Sequence, residues 1–419
     1  MNATCDAIII GGGPAGACAA TLLARAGWQV VLVEKARFPR QKVCGEFISA
    51  TTWPLLRDLG AEPLLANAAG PPVRRVAVFA GRAQLMAPIA LPDDAAVDGG
   101  SAIGRDMLDT ALLQQARAAG ADVRQPARLD AVSRTGDGYA CRIEDGAQKE
   151  GEQGPRYTLR APILIAAHGS WESGPLPTQP LRARPRASNL LAFKARFAGG
   201  ALPRDLMPLI AFPGGYGGMV HTNGGLVSLS CCIRRDALAA CREARPRERA
   251  GAAVLAHIMR HCAGVAAALR EATPESAWLA AGPIRPGMHG FGRDGVFAIG
   301  NAAAEAHPIV AEGISMAIQS AALLCEQLLM HPRPVTASWA PSMLAAVHRS
   351  YAEAWRSNFA RRLHASSLYA HLFMRPPGAR AAVAMLENFP SLLTLGSRWS
   401  GKAAPLRAQR FEMAGTNER

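Results

Sequence analysis

The hydrophobic positions of this chain fall into short, fully apolar runs separated by helical periodicities, a pattern that predicts alternating strands and helices. Ala7–Ile10 is β-branched and apolar on both faces, as a parallel strand buried on two sides requires. Gly11-Gly12-Gly13-Pro14-Ala15-Gly16 follows, then a helix-forming stretch to residue 26 that Gly27 stops, and Val30–Val33 forms a second apolar strand ending at Glu34. Residues 36–60 read as a loop followed by a helix, and residues 71–99, with Val73, Val76, Val78 and several prolines, as a hairpin or mixed β segment. Residues 104–119 turn helical, with Leu108 and Leu112 four apart; β character returns at Val123, and Ile163-Leu164-Ile165-Ala166-Ala167 is another buried strand.

From about 181 to 284 the pattern changes. Residues 192–197 and 226–232 read as strands joined by a glycine-dense turn at 212–218, and a helical span follows at about 247–270. Residues 296–300 resume the buried-strand pattern, a helix begins near Glu312, and the tail from about 342 is helical, broken by Pro376-Pro377 and Pro390. The expected division is a discontinuous domain made of 1–70, 100–180 and 285–341, a second domain made of 71–99 and 181–284, and a C-terminal helical segment at 342–419. A length of 419 residues suits more than one core.

Composition narrows the class. Apolar residues make up 49% and no run approaches the length of a membrane span, so a packed enzyme is expected rather than a disordered or membrane-spanning chain. The first residues lack the basic stretch of an export signal, so the expected location is cytoplasmic, with contact to the inner face of the membrane left open. Nine cysteines then read as free thiols. Cys231, Cys232, Cys241, His257 and His261 match no zinc spacing, and no metal is expected. The formal charge of +14 is spread over arginines without a nucleic-acid motif. It reads mainly as a solvated basic face, with a secondary role in binding a phosphate-bearing cofactor or an acidic carrier.

The strongest chemical signal is Gly11-x-Gly13-x-x-Gly16 between a strand and a helix. The first glycine permits the tight turn, the second lets backbone approach a pyrophosphate, and the third lets the helix pack close to the strand. Pro14 and Ala15 open a helix whose unpaired N–H groups face the phosphates. Glu34, followed by Lys35, stands eighteen residues past Gly16, where a carboxylate accepts hydrogen bonds from an adenosine ribose. Both NAD and FAD use such a unit.

Further motifs decide between them. The N-terminal GGGPAG, the segment Phe38-Pro39-Arg40-Gln41-Lys42-Val43-Cys44-Gly45, Gly104-Arg105-Asp106-Met107-Leu108-Asp109, Gly169-Ser170, Ile299-Gly300-Asn301-Ala302-Ala303, His307-Pro308 and Glu312-Gly313-Ile314 occur in this order. In this the chain resembles the geranylgeranyl reductase-like flavoproteins, relatives of aromatic hydroxylases and flavin-dependent halogenases. The resemblance spans residue 7 to about 325. It implies an α/β fold: a Rossmann-like FAD-binding domain of the para-hydroxybenzoate hydroxylase type, with an inserted antiparallel β substrate domain and C-terminal helices.

The resemblance also implies roles. Arg105 would approach FAD from the start of its helix, Gly300 and Asn301 would meet its ribityl and pyrophosphate part, and Glu312, Gly313 and Ile314 would open a helix aimed at the isoalloxazine. Lys42 and Cys44 would line the flavin cavity, where a thiol can donate a proton after hydride transfer; His307 is an acid–base candidate. Tyr216, in its glycine-rich turn, is the candidate substrate contact. The family usually carries Asp where this chain has His168 and Asn301, which leaves NAD(P)H open as the reductant and makes a separate electron donor an expectation. Ala311 stands where a glycine is common.

The expected function is hydride transfer by FAD to or from a carbon–carbon bond of a hydrophobic, prenyl- or polyketide-like small molecule, free or carrier-bound. The alternatives are a monooxygenase hydroxylating an aromatic or polyketide substrate and, less favoured, a flavin-binding protein without turnover. The W-x-W-x-I-P signature of halogenases is absent from all seven tryptophan positions.

Overall fold

The computed structural model describes residues 2–92, 98–146, 154–180, 184–334 and 339–402. Its centre is a six-stranded sheet. Ala7–Ile10 pairs in parallel with Val30–Val33 on one side and Ile163–Ala166 on the other, with Ile8 opposite Val31 and Leu164. Asp122–Arg124 extends one edge, and Val296–Ala298 the other, in parallel; the short antiparallel strand Gly292–Arg293 ends the sheet. Every residue of Ala7–Ile10, Val30–Val33 and Ile163–Ala166 is buried, because helices cover both faces. The helix Pro14–Arg25 packs against Arg105–Ala118 and Gly313–Leu329. A separate four-stranded sheet joins Asn2–Thr4, Arg156–Ala161, Gly138–Asp145 and Ala127–Thr135 in that order.

The inserted domain is an eight-stranded sheet whose longest strands are Leu190–Ala198, Leu206–Phe212, Gly215–His221 and Val227–Arg234. It is antiparallel except at one junction, where Leu206–Phe212 lies parallel to Arg75–Ala80 of the 75–88 hairpin. The glycine-dense segment expected as one long turn is therefore a tight reversal at Pro213-Gly214 followed by a strand. Its glycines are packing devices: a Cβ on Gly217 would stand 2.6 Å from the Ser230 carbonyl oxygen. The helical span beyond the sheet is three helices, Arg235–Ala244, Ala250–His261 and Ala263–Ala268. Residues alternate along Arg75–Ala80: Ala77 and Phe79 pack with those helices, while Val78 and Ala80 face the opposite side.

That opposite side is covered by the C-terminal segment. A 33-residue helix, Pro341–Phe373, buries Val347, Tyr351, Trp355 and Phe359 in the core of the dinucleotide domain and Phe373 against the inserted sheet. The helices Pro376–Asn388 and Ser391–Trp399 follow, each beginning at or just after a proline, where a fixed φ and a missing N–H suit a helix start. Among the described residues no helix is long and apolar enough to cross a membrane.

An ion cluster ties the two domains. Glu46, buried and at φ 62°, receives Lys194 Nζ and Arg196 Nη2, each 2.5 Å from Oε1, from the strand Leu190–Ala198. A left-handed non-glycine residue is strained, and the two cations hold it there.

Helix and strand meet most closely at Gly16, whose ideal Cβ would lie 1.8 Å from the Gly11 carbonyl oxygen. Gly16→Ala should therefore cost about 3 kcal/mol, the upper end for overpacking, read as a lowered urea midpoint with unchanged m-value; wild-type stability would show that the helix can retreat freely.

Candidate functional site: a dinucleotide cradle opening into an apolar cavity

The turn after the strand Ala7–Ile10 is set by its first glycine. Gly11 sits at φ 113°, and a Cβ there would stand 2.5 Å from the Ala167 carbonyl oxygen. Gly13 is the N-cap of the helix with no side-chain cap, so the N–H groups of the first turn are left for a ligand. The ideal Cβ position of Gly13 is 3.9 Å from an Arg105 Nη2 and 4.0 Å from an Arg40 Nη2. Two guanidinium groups thus converge over a helix N-terminus. Arg105 is held by a bidentate pair to Asp109, at 2.7 and 2.8 Å. Arg40 lies 3.4 Å from Asp109 and 3.9 Å from Glu34, and its Nε is buried with no hydrogen-bond partner among the described residues.

Glu34, 5% exposed, accepts from the Gly12 N–H at 2.7 Å and the Ala36 N–H at 2.8 Å, which leaves its carboxylate at the strand tip with its orientation fixed. Lys35 is more exposed and pairs with Glu172. The cradle fits a dinucleotide diphosphate on this structure's own terms: open space at a helix N-terminus, an orphaned guanidinium nitrogen and an anchored carboxylate beside it.

A cavity of about 1020 Å³ runs from this cradle between the two domains. Its walls bring together Gly11, Gly13, Pro14, Ala15, Glu34, Lys35, Arg105, Gly300, Asn301, Gly313, Ile314, Lys42, Cys44 and Tyr216. Gly16 lies behind the wall, where its contact with Gly11 sets the helix position. At Gly300, φ is 57° and the N–H donates to Ser320 Oγ at 2.8 Å, which turns the chain after the strand Val296–Ala298. The helix Gly313–Leu329 starts on the cavity, and a Cβ on Gly313 would meet nothing within 4 Å.

Three residues stand differently from expectation. Glu312 is turned away from the cavity; fully buried, it pairs with Lys402 Nζ at 3.0 Å and has Arg362 at 3.9 Å. Lys402 also donates to the Val310 carbonyl at 2.7 Å, so a residue just past the helix Ser391–Trp399 pins the loop before the Gly313 helix. His307 lies behind the wall, sharing a 3.0 Å hydrogen bond between its Nδ1 and the Tyr216 hydroxyl, with His371 in edge contact. Tyr216 lies in a strand and not in a turn; it lines the cavity but is 1% exposed.

Electrostatics distinguishes the remaining side chains. Burial, with Arg105 and Arg40 nearby, lowers the Lys42 ammonium to about 8, and the group sits over the Trp171 ring at 5.4 Å. Cys44 Sγ accepts from the Glu46 N–H at 3.4 Å and interacts with Arg105. Burial holds His168 at about 4, so a neutral imidazole stands at this position; Nε2 meets Thr178 Oγ1 at 2.9 Å, and the buried Nδ1 has no partner among the described residues.

Sequence reasoning did not single out Arg40, Glu305 or Lys402. Glu305 lines the cavity, accepts from Ser170 Oγ at 2.6 Å and the Arg285 N–H at 3.0 Å, and is shifted upward by burial. Arg40 lies in the Phe38–Gly45 motif without a separate signal, and nothing in residue spacing brings Lys402 to Val310. Cys231 and Cys232 point to opposite faces of one strand, into different cores, and among the described residues no group of His, Cys, Asp or Glu could hold a metal ion.

A parallel sheet, a glycine turn under two arginines and an inserted sheet across the cavity define a class: FAD-dependent oxidoreductases built around a Rossmann-like domain. A model of the FAD binding domain family matches residues 4–338, and the chain belongs to that family. It is 45% identical over 60 residues, 14% of this chain and 15% of the relative, to a menaquinone reductase of Mycolicibacterium smegmatis. The matched segments span less than half the length of the curated relatives. Among solved structures it resembles the flavin-dependent brominase Bmp2, with a TM-score of 0.71, 18% identity and 95% of this chain and 94% of that chain covered. It also resembles a geranylgeranyl bacteriochlorophyll reductase-like protein from Thermoplasma acidophilum, with a TM-score of 0.68, 19% identity and coverage of 96% and 93%. These two likenesses are of fold.

Removing the Arg40 charge while keeping its stem, as in Arg40→Met, should weaken FAD about 10- to 100-fold, the loss of one charge-assisted contact, with a shallower salt dependence in a flavin titration; unchanged affinity would place the diphosphate elsewhere. Burial also lowers His307 and His348 to about 4, as it does His168. Between pH 6.5 and 4 the unfolded chain binds protons that the folded chain refuses, so stability should fall as pH drops through that window and level off below it. Thermal unfolding from pH 7.5 to 4 measures this, and His307→Gln should reduce the slope.

Proposed function

We propose that this protein uses FAD to move hydride to or from a carbon–carbon bond of a hydrophobic small molecule of prenyl or polyketide type. The observation that carries the reading is the continuous cavity, which passes from a charged cradle for the diphosphate to an apolar compartment formed by Val76, Val78, Met207, Leu209, Leu372 and Phe373. Bound FAD would supply two-electron, hydride-level chemistry that no side chain of the chain can perform.

The chain's own residues then bind, orient and handle protons. Gly11, Gly13, Arg40 and Arg105 hold the diphosphate end, Glu34 the sugar, and the apolar wall excludes water from the reacting carbon. Saturating a double bond takes a hydride at one carbon and a proton at the other. Lys42 Nζ, whose ammonium burial lowers to about 8, and Cys44 Sγ are the cavity-wall groups assigned to proton transfer. With a neutral imidazole at His168, a separate electron donor is favoured over direct reduction by NAD(P)H. The name of the menaquinone reductase relative suggests a prenylated quinone as the first probe.

The test is anaerobic. FAD-loaded protein, reduced chemically and mixed with a prenylated quinone without oxygen, should regain the oxidised flavin spectrum and yield a product that, after air has returned any hydroquinone to quinone, is still heavier by two hydrogens in its prenyl chain. Cys44→Ala should slow that step about a hundredfold, within the range for a positioned proton donor; unchanged turnover would remove Cys44 from the reaction. Product that forms only with oxygen, and carries an oxygen atom, would replace this reading with a monooxygenase.

A further inference from the structure

Ten large hydrophobic side chains are exposed among the described residues, and five of them, Leu368, Met385, Phe389, Leu395 and Trp399, fall on the three C-terminal helices. Scattered singly, exposed apolar residues need no explanation; gathered in one place they do. Leu368, Met385, Leu395 and Trp399 also line the cavity, so each borders both the interior and the solvent: together they form its mouth. Leu395 and Trp399 are four apart on one helix face, and Phe389, 61% exposed, caps the helix that carries Met385.

The same helices are basic. Arg361, Arg375, Arg380 and Arg398 are exposed, against a single acid, Glu387, between residues 361 and 402. Arg361 precedes Leu368 by two helical turns on the same face, and Arg398 adjoins Trp399. Aliphatic and aromatic tips interleaved with arginines at the end of the long helix and on the two shorter helices after it match the chemistry of a bilayer interface, where apolar tips enter the acyl boundary and cations meet anionic headgroups. An acidic protein surface would satisfy the arginines but leave the five apolar tips wet.

We propose that the three C-terminal helices dock this protein on an anionic lipid bilayer, with the mouth of its cavity held against the membrane so that a lipid-dissolved substrate enters without crossing water. The docking surface stands on exposure and charge and goes beyond the reaction proposed above.

Flotation of the FAD-loaded full chain with phosphatidylcholine vesicles, with and without phosphatidylglycerol, tests it without any turnover. Binding is expected to vesicles containing phosphatidylglycerol and to weaken as salt rises. Arg380→Glu with Arg398→Glu should reduce partitioning at least about tenfold, and Phe389→Ser with Trp399→Ser should reduce it comparably, with flavin absorbance retained to show that the variants fold. Absence of flotation, or flotation undiminished in both double variants, would overturn the proposal. So would a concentration-dependent dimer, broken by Phe389→Ser with Trp399→Ser, that does not float, since the occupant would then be a second copy. Because the readout is partitioning, either result leaves the hydride-transfer reading where its own anaerobic test puts it.

Discussion

Gly16 rests against the carbonyl of Gly11 with no space for a side chain between them, and from that contact the first helix takes its position. The helix start then meets the end of the parallel sheet at the height of Glu34, and Arg40 and Arg105 arrive over it from two other segments. Unpaired N–H groups and two guanidiniums favour an anion strongly enough to define the cradle before any ligand is considered. Everything downstream, including the direction in which the cavity opens, follows from where this helix begins.

Charge is used sparingly and locally in the rest of the site. Three buried carboxylates are matched by cations: Asp109 by Arg105 and Arg40, Glu46 by Lys194 and Arg196, Glu312 by Lys402. Arg105–Asp109 lies within one helix, but the Arg40–Asp109, Lys194–Glu46, Arg196–Glu46 and Lys402–Glu312 pairs join segments distant in sequence and act as registration points within the dinucleotide domain and between it, the inserted sheet and the C-terminal helices. A buried pair contributes little net stability over an apolar substitute, but losing one partner leaves an isolated charge and is costly.

The inserted sheet divides its two faces by strict alternation. One face is sealed by three short helices, and the other is left to the C-terminal segment, which packs less completely and leaves the cavity. Tyr216, which lines the cavity, and His307, behind it, are joined by their hydrogen bond where sheet, loop and long helix meet.

The sequence alone determined what rests on local geometry: the buried strands, whose apolar runs admit no other environment; the glycine turn, because only glycine accepts φ 113° and a 1.8 Å approach; and the breaks at Pro376 and Pro390. It also pointed to FAD, through motifs whose order reflects one folding pattern. Only the tertiary structure decided which side chains face the cavity. The segment 212–218 reads as a turn in sequence because glycines that permit close strand packing look, in one dimension, like glycines that permit reversal. Glu312 and His307 lie beside motif residues yet point elsewhere, since neighbours along a loop share no fixed direction. Lys402 reaches the loop before the Gly313 helix from about ninety residues away, a contact set by how three helices pack and by no periodicity in the chain.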